Sequence, residues 1–258
     1  MAEGTIPDEF PRTGDVTGSR VVITGASRGL GRTLAFAFAR AGARLMLVSR
    51  SAEDLDGLVQ SLPGEHGSCP GDVSDPIVNE QIAAAAVERL GGLDVWIANA
   101  GISPVVAATT DMDPKQWRRI IDTNLNGAFY GIRAAAAVMR PGGRVIITGS
   151  VLGTRPRGGL SAYSAAKAGL EGLVKSAALD LADRGVTVNL VAPGWFVSPL
   201  TEGWRNDPER DKEILSRTPL GRWGTSSDLP GAYVFLASPA ARFITGVTIP
   251  VDGGYLAH

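Results

Sequence analysis

Val21-Val22-Ile23-Thr24-Gly25-Ala26-Ser27-Arg28-Gly29-Leu30-Gly31 is the stretch whose reading decides the fold. Four β-branched residues in a row favour a short strand. Glycines follow at G-x-x-x-G-x-G spacing. Apolar residues then recur at helical intervals through Leu34, Phe38 and Ala41, and Gly42 stops them. Strand, glycine turn and helix in that order predict a βα unit. Its turn lets the backbone approach an anion closely, and its helix N-terminus presents free amide donors. A glycine turn alone also occurs in plain βα connections. The flanking elements make Gly25, Ser27, Arg28, Gly29, Leu30 and Gly31 candidates for a phosphate site.

Working outward, Leu45-Met46-Leu47-Val48 predicts a second strand, followed by Ser49 and Arg50. A dinucleotide fold built for NAD carries an acidic residue about 20 residues past the glycines, on the ribose hydroxyls. Here that place holds Ser49, and Arg50 comes next. A carboxylate would repel a 2′-phosphate, whereas a guanidinium grips it through charge-assisted bonds worth about 1.5–3 kcal/mol each. Arg28 and Arg50 together therefore favour NADP over NAD.

The remaining chain alternates the same two patterns. Ser51 reads as a helix cap with Asp54 after it, and residues 66–69 form a short strand. Asp75-Pro76 opens a helix that Gly91-Gly92 closes. Residues 94–98 form a strand ending in Asn99-Ala100-Gly101. Asp113-Pro114 starts a helical pattern that continues over residues 117–139, and residues 144–148 make a fifth strand. A helix around Tyr163 comes next, then strands at residues 186–191 and 247–251, with a capped helix between them from Ser226. Seven strands alternating with helices predict one α/β domain, a doubly wound parallel sheet of Rossmann type with helices on both faces. No linker divides residues 19–258. Residues 1–18 read as a flexible extension, and residues 195–219, rich in turn formers and aromatics, as a segment covering the substrate.

Ser150 to Lys167 reads S-V-L-G-T-R-P-R-G-G-L-S-A-Y-S-A-A-K. Tyr163 and Lys167 are four residues apart, so on a helix both leave the same face. An ammonium beside a phenol favours the phenolate and is expected to pull the tyrosine below its usual value near 10. Ser150, across a Gly- and Pro-bearing loop, offers a hydroxyl to a carbonyl oxygen.

Composition excludes several classes. A net charge of −1 and a pI near 6.2 provide no basic field for nucleic acid. Cys69 is the only cysteine, so no internal disulfide forms and a reducing compartment fits. His66 and His258 have no ligand spacing around them, so no metal is expected. The N-terminus is polar, unlike a signal peptide, and no apolar run approaches the roughly 18 residues of a membrane span. A cytoplasmic location is expected.

The ordered set T-G-A-S-R-G-L-G, Asp72-Val73, Asn99-Ala100-Gly101, Asn124, Ser150, Tyr163 with Lys167, and Pro193-Gly194 is similar to the short-chain dehydrogenase/reductase family over residues 19–255. That resemblance implies Tyr163 as proton donor and acceptor, and Ser150 on the substrate oxygen. It implies Lys167 on the nicotinamide ribose and Asn124 holding a relay water. It further implies Asp72 and Val73 at the adenine, Asn99, Ala100 and Gly101 at the ribose, and Pro193, Gly194, Phe196 and Ser198 at the nicotinamide. Ala98 and Ser198 depart from the Asn and Thr common in the family; serine keeps the hydroxyl.

The C-terminal stretch, Thr218 to Gly224, Ser227 to Leu229 and Thr248 to Ala257, resembles sugar-acid members such as gluconate 5-dehydrogenase and 2-deoxygluconate 3-dehydrogenase. The segment from Thr148 to Thr154 resembles 3-oxoacyl-carrier-protein reductases. The expected activity is NADP-dependent ketone–alcohol interconversion on a small carbonyl or alcohol substrate, a sugar acid or related hydroxy-ketone. Leu152, Trp195 and Trp204 join Ser150 as substrate contacts. An acyl thioester reductase with Arg118, Arg119 and Arg133 as a carrier patch is the alternative, beside a reductase of hydrophobic ketones. A non-catalytic dinucleotide-binding protein would lack Ser150, Tyr163 or Lys167, and none is missing. The resemblance also implies a homotetramer.

Overall fold

Short runs of β-branched and aliphatic residues supply the strands β1 (Arg20–Thr24), β2 (Arg44–Ser49), β3 (Gly67–Pro70), β4 (Val95–Ala98), β5 (Arg144–Thr148), β6 (Thr187–Pro193) and β7 (Thr248–Val251). The computed structural model describes residues 12–102 and 105–257 of the protein. All neighbouring strands pair in parallel, in the order β3-β2-β1-β4-β5-β6-β7. The seven-stranded doubly wound sheet expected from the sequence is present. β4 and β5 are buried along their whole length because helices cover both faces, which is why they read as unbroken apolar runs.

The helices are α1 (Gly29–Arg40), α2 (Ala52–Ser61), α3 (Pro76–Leu90), α4 (Pro114–Ile121), α5 (Gly127–Val138), α6 (Val151–Thr154), α7 (Ser161–Asp180), α8 (Glu202–Arg205), α9 (Pro208–Ser216) and α10 (Pro230–Ala237). Successive strand residues alternate between two cores. Val22, Met46 and Trp96 face Ile82 of α3, Ile132 of α5 and Leu170 of α7. Val21, Ile23 and Leu45 face Leu34 and Phe38 of α1, Leu55 of α2 and Tyr233 of α10. Strand order reverses between β1 and β4, which opens a crevice at their carboxyl ends.

Three local features differ from the sequence expectation. The single pattern over 117–139 is broken by a π-helical turn at Asp122–Asn126 that joins α4 to α5. Within 195–219, α9 forms with Asp207 accepting from the Glu209 and Arg210 amides and Pro208 in its first turn. Of the stretch read as an extension, residues 1–11 lie outside the described residues. Val16 is 1% exposed in the α1–α10 core, and the Gly18 amide donates to the Gly42 carbonyl at 2.8 Å. Among the described residues no helix is long and apolar enough to cross a membrane.

Candidate active site

At the carboxyl ends of β1, β4, β5 and β6 lies a cleft of about 670 Å³. One wall is the turn between β1 and α1. Gly25 has φ +67°, and a Cβ there would lie 2.7 Å from Ala100 Cα. A Cβ at Gly31 would run into the Gly25 carbonyl and the Asn99 amide. Only glycine allows this closeness. No side chain caps α1 and no acidic residue sits in its first turn, so its amide donors and positive dipole end remain free for an anion. Ser27, Arg28, Gly29 and Leu30 line the same wall. Arg50, Asp72 and Val73 continue the lining from the ends of β2 and β3. Asp72 Oδ1 accepts from the Ser74 amide at 3.0 Å and its hydroxyl at 2.8 Å. The Ser74 amide above all, with Arg50 and Arg119 nearby, holds this carboxyl below its ordinary range. An uncapped helix end, with Arg28 and Arg50 lining the same cleft, fits the phosphates of a dinucleotide.

Asn99, Ala100 and Gly101 line the middle of the cleft. Asn99 Nδ2 donates to the Thr24 carbonyl at 3.0 Å, which locks the end of β4 to the glycine turn. Asn124 lies just behind this wall rather than in it. Its Oδ1 accepts from the Ile102 amide at 2.8 Å and its Nδ2 donates to the Ile102 carbonyl at 3.2 Å.

Thr148, Gly149, Ser150, Tyr163, Lys167, Pro193, Gly194, Phe196 and Ser198 line the far end. Ser150 precedes α6 and its Oγ accepts from the Leu152 amide at 3.1 Å, which leaves its proton to give. Tyr163 and Lys167 leave one face of α7, as their spacing requires. Lys167 Nζ donates to the Thr148 carbonyl at 2.8 Å and lies 5.6 Å from the Tyr163 ring centroid. Burial lowers the Lys167 ammonium to about 8. The lowering expected for Tyr163 is not found: burial raises its phenol, and a hydrogen bond with Ser150 offsets only part of that. Desolvation dominates, and Lys167, whose Nζ bonds the Thr148 carbonyl, is not among the groups that offset it.

Ser198 is tied to Thr201, whose hydroxyl donates to the Phe196 carbonyl at 2.5 Å. Thr201 and Leu200 line the cleft as well, with Ile102 and Val105, none of which sequence reasoning singled out; Arg119, read from the sequence as part of a carrier patch, also lines it. Leu152, Trp195 and Trp204 are not in this lining. They belong to an apolar cluster behind Tyr163, where Trp195 stacks 5.4 Å from Trp204 and 5.8 Å from Trp223. Their large rings are committed to seating α8 and α9. Among the described residues no group of His, Cys, Asp and Glu could hold a metal ion.

A short-chain dehydrogenase family model described as enoyl-(acyl carrier protein) reductase matches residues 25–256. Gluconate 5-dehydrogenase of Gluconobacter oxydans (strain 621H) is 37% identical over 253 residues, 96% of this chain and 97% of that protein. The 3-oxoacyl-[acyl-carrier-protein] reductase FabG of Escherichia coli (strain K12) is also 37% identical, over 92% of this chain and 97% of that protein. Among solved structures, a Beutenbergia cavernae protein assigned as an NAD(P)-dependent gluconate 5-dehydrogenase, with bound NADP, aligns at TM-score 0.89. It is 34% identical, over 96% of this chain and 100% of that one. Matches this long, on a chain with this sheet and cleft, have one meaning: the protein belongs to the short-chain dehydrogenase/reductase family of oxidoreductase enzymes.

Proposed function

We propose that this enzyme interconverts a ketone and a secondary alcohol using NADP(H), on a sugar acid or related hydroxy-ketone. The observation that carries the reading is the cleft itself, with Ser150, Tyr163 and Lys167 at one end and Arg28 and Arg50 at the other. Gly25 to Gly31, Arg50, Asp72 and Asn99 to Gly101 would hold the adenosine and phosphates, and Lys167, Pro193, Gly194, Phe196 and Ser198 the nicotinamide half. When bound, NADP(H) supplies or accepts a hydride at the substrate carbon. Ser150 donates a hydrogen bond to the substrate oxygen and keeps its proton. Tyr163, kept protonated by burial, gives its proton to the alkoxide that develops during reduction. In the oxidative direction the same phenol takes the proton back, and the neighbouring Lys167 cation compensates the phenolate. Gluconate 5-dehydrogenase and FabG support the two candidate substrate classes about equally by identity. Of the basic residues suggested for the thioester class, Arg133 forms an exposed ion pair with Glu80 at 2.9 Å and Arg119 lines the cleft.

Residues 195–219 act in this reading as the substrate cover, with Leu200 and Thr201 already on the cleft wall. A homotetramer in the cytoplasm completes it. Exposed Phe129 on α5 and Leu179 on α7 support self-association, and the lone Cys69 suits a reducing compartment. The test is steady-state oxidation of NADPH and NADH by purified protein with 5-ketogluconate, acetoacetyl-CoA and aryl and alicyclic ketones. Turnover of the sugar acid with NADPH is expected. Turnover of the thioester or hydrophobic ketones alone would overturn the substrate assignment.

A further inference from the structure

Tyr233 is an anomaly in its own core. It is fully buried on α10 among Leu34, Phe38 and Leu236, outside the cleft lining, yet it carries a hydroxyl into that apolar layer. A buried phenol needs a partner. Tyr233 has one: its Oη lies 2.8 Å from Oγ1 of Thr148, the last residue of β5.

Proton accounting gives this pair a direction. The Thr148 hydroxyl donates to Asn99 Oδ1 at 3.2 Å, and a carbonyl oxygen can only accept. Thr148 has one proton, so Tyr233 must be the donor to Thr148. Asn99 in turn donates through Nδ2 to the carbonyls of Thr24 at 3.0 Å and Gly25 at 3.4 Å. One continuous chain thus runs from Tyr233 through Thr148 and Asn99 to the glycine turn. Burial raises the Tyr233 phenol, so its proton stays in place over the working range of pH. At the turn there is no slack, because the Asn99 amide occupies the space that a Cβ on Gly31 would need. Thr148 also receives Lys167 on its carbonyl, which makes it the point where the glycine turn and the catalytic lysine are tied together.

We propose that Tyr233, acting through Thr148 and Asn99, is a positioning residue that sets the glycine turn for dinucleotide binding. The inference rests on the proposed function, since it presumes that the turn receives NADP. Nothing about Tyr233 requires it to touch the cofactor.

The test is calorimetric titration of the full-length protein with NADP and with NAD, alongside steady-state kinetics, for wild type, Tyr233→Phe, Thr148→Val and the double variant. Loss of one hydrogen bond in the chain is expected to weaken NADP binding about three- to tenfold in Tyr233→Phe. The KM for NADP should rise more than kcat falls. Thr148→Val, which leaves Asn99 Oδ1 and the Tyr233 hydroxyl both unpaired, should weaken binding further. The double variant should bind no worse than Thr148→Val alone, because Tyr233 acts only through Thr148. Unchanged affinity in Tyr233→Phe, or fully additive losses in the double variant, would overturn the proposal and leave Tyr233 a packing residue. A wild type that binds only NAD overturns the NADP assignment alone, and Tyr233→Phe is then judged by the same loss of NAD affinity. A wild type that binds neither overturns both.

Discussion

The Lys167 ammonium donates to the Thr148 carbonyl at 2.8 Å, joining the Tyr163–Lys167 face of α7 to the end of β5. Lys167 is 4% exposed, and among the described residues no carboxylate pairs with it. A buried lone cation is expensive, and in the proposed mechanism its use is to compensate the Tyr163 phenolate.

The consequence is a stability that depends on pH. Lys167 is lowered from 10.5 to about 8 in the folded chain. Below about pH 8 it is charged in both the folded and unfolded states, and its full desolvation penalty is present. Between about 8 and 10.5 the unfolded chain keeps the proton that the folded chain has released, so this residue's contribution to stability rises with pH. The total change is roughly 3 kcal/mol. Lys167→Met has no such group. The stability of wild type minus that of Lys167→Met, from urea melts without cofactor, should therefore climb by roughly that amount between pH 8 and pH 10.5. A flat difference would mean that Lys167 keeps an ordinary ammonium.

Tyr163→Phe removes the group assigned to proton transfer and little else, since the ring stays in its apolar cluster. Turnover should fall about 10²–10⁴-fold, the usual contribution of a positioned acid or base. NADP affinity by direct titration should remain near wild type. The raised phenol also sets a sign: in wild type, alcohol oxidation needs the phenolate and should accelerate with rising pH, whereas ketone reduction needs the phenol and should not. Residual turnover close to wild type would remove Tyr163 from the mechanism.

The parts of this protein legible in the sequence were those set by local pattern. The βα unit from Val21 to Gly31 was read correctly because strand and helix periodicities flank a turn that only glycine tolerates. The Tyr163–Lys167 face followed from helical spacing alone. What escaped depends on tertiary placement. The direction of the Tyr163 shift is decided by burial, which spacing does not encode. Trp195 and Trp204 looked like pocket residues by type, but their rings find each other and Trp223 instead of the cleft. Thr148 and Thr201 were passed over because a threonine closing a strand or a turn has no pattern of its own. α9 was a different kind of miss. Asp207-Pro208 carries the same start signal as Asp75-Pro76 and Asp113-Pro114, and the aromatic, turn-rich surroundings obscured it.

In the proposed reading, cofactor preference turns on Arg50. It stands at the end of β2 on the cleft wall, where NAD-selective folds place a carboxylate, and Arg28 lines the same region from the glycine turn. Arg50→Asp replaces an attraction for a 2′-phosphate with a repulsion and supplies an acceptor for ribose hydroxyls. The loss of one charge-assisted bond, about 1.5–3 kcal/mol, corresponds to roughly ten- to a hundredfold in kcat/KM for NADP. The NADP/NAD ratio of kcat/KM should fall by at least that factor and reverse toward NAD. Because Arg50 also helps hold Asp72 ionised, some loss with both cofactors is expected, so the ratio is the quantity to measure. A ratio unchanged from wild type would show that the two arginines are solvated surface cations, and the NADP assignment would fall with them.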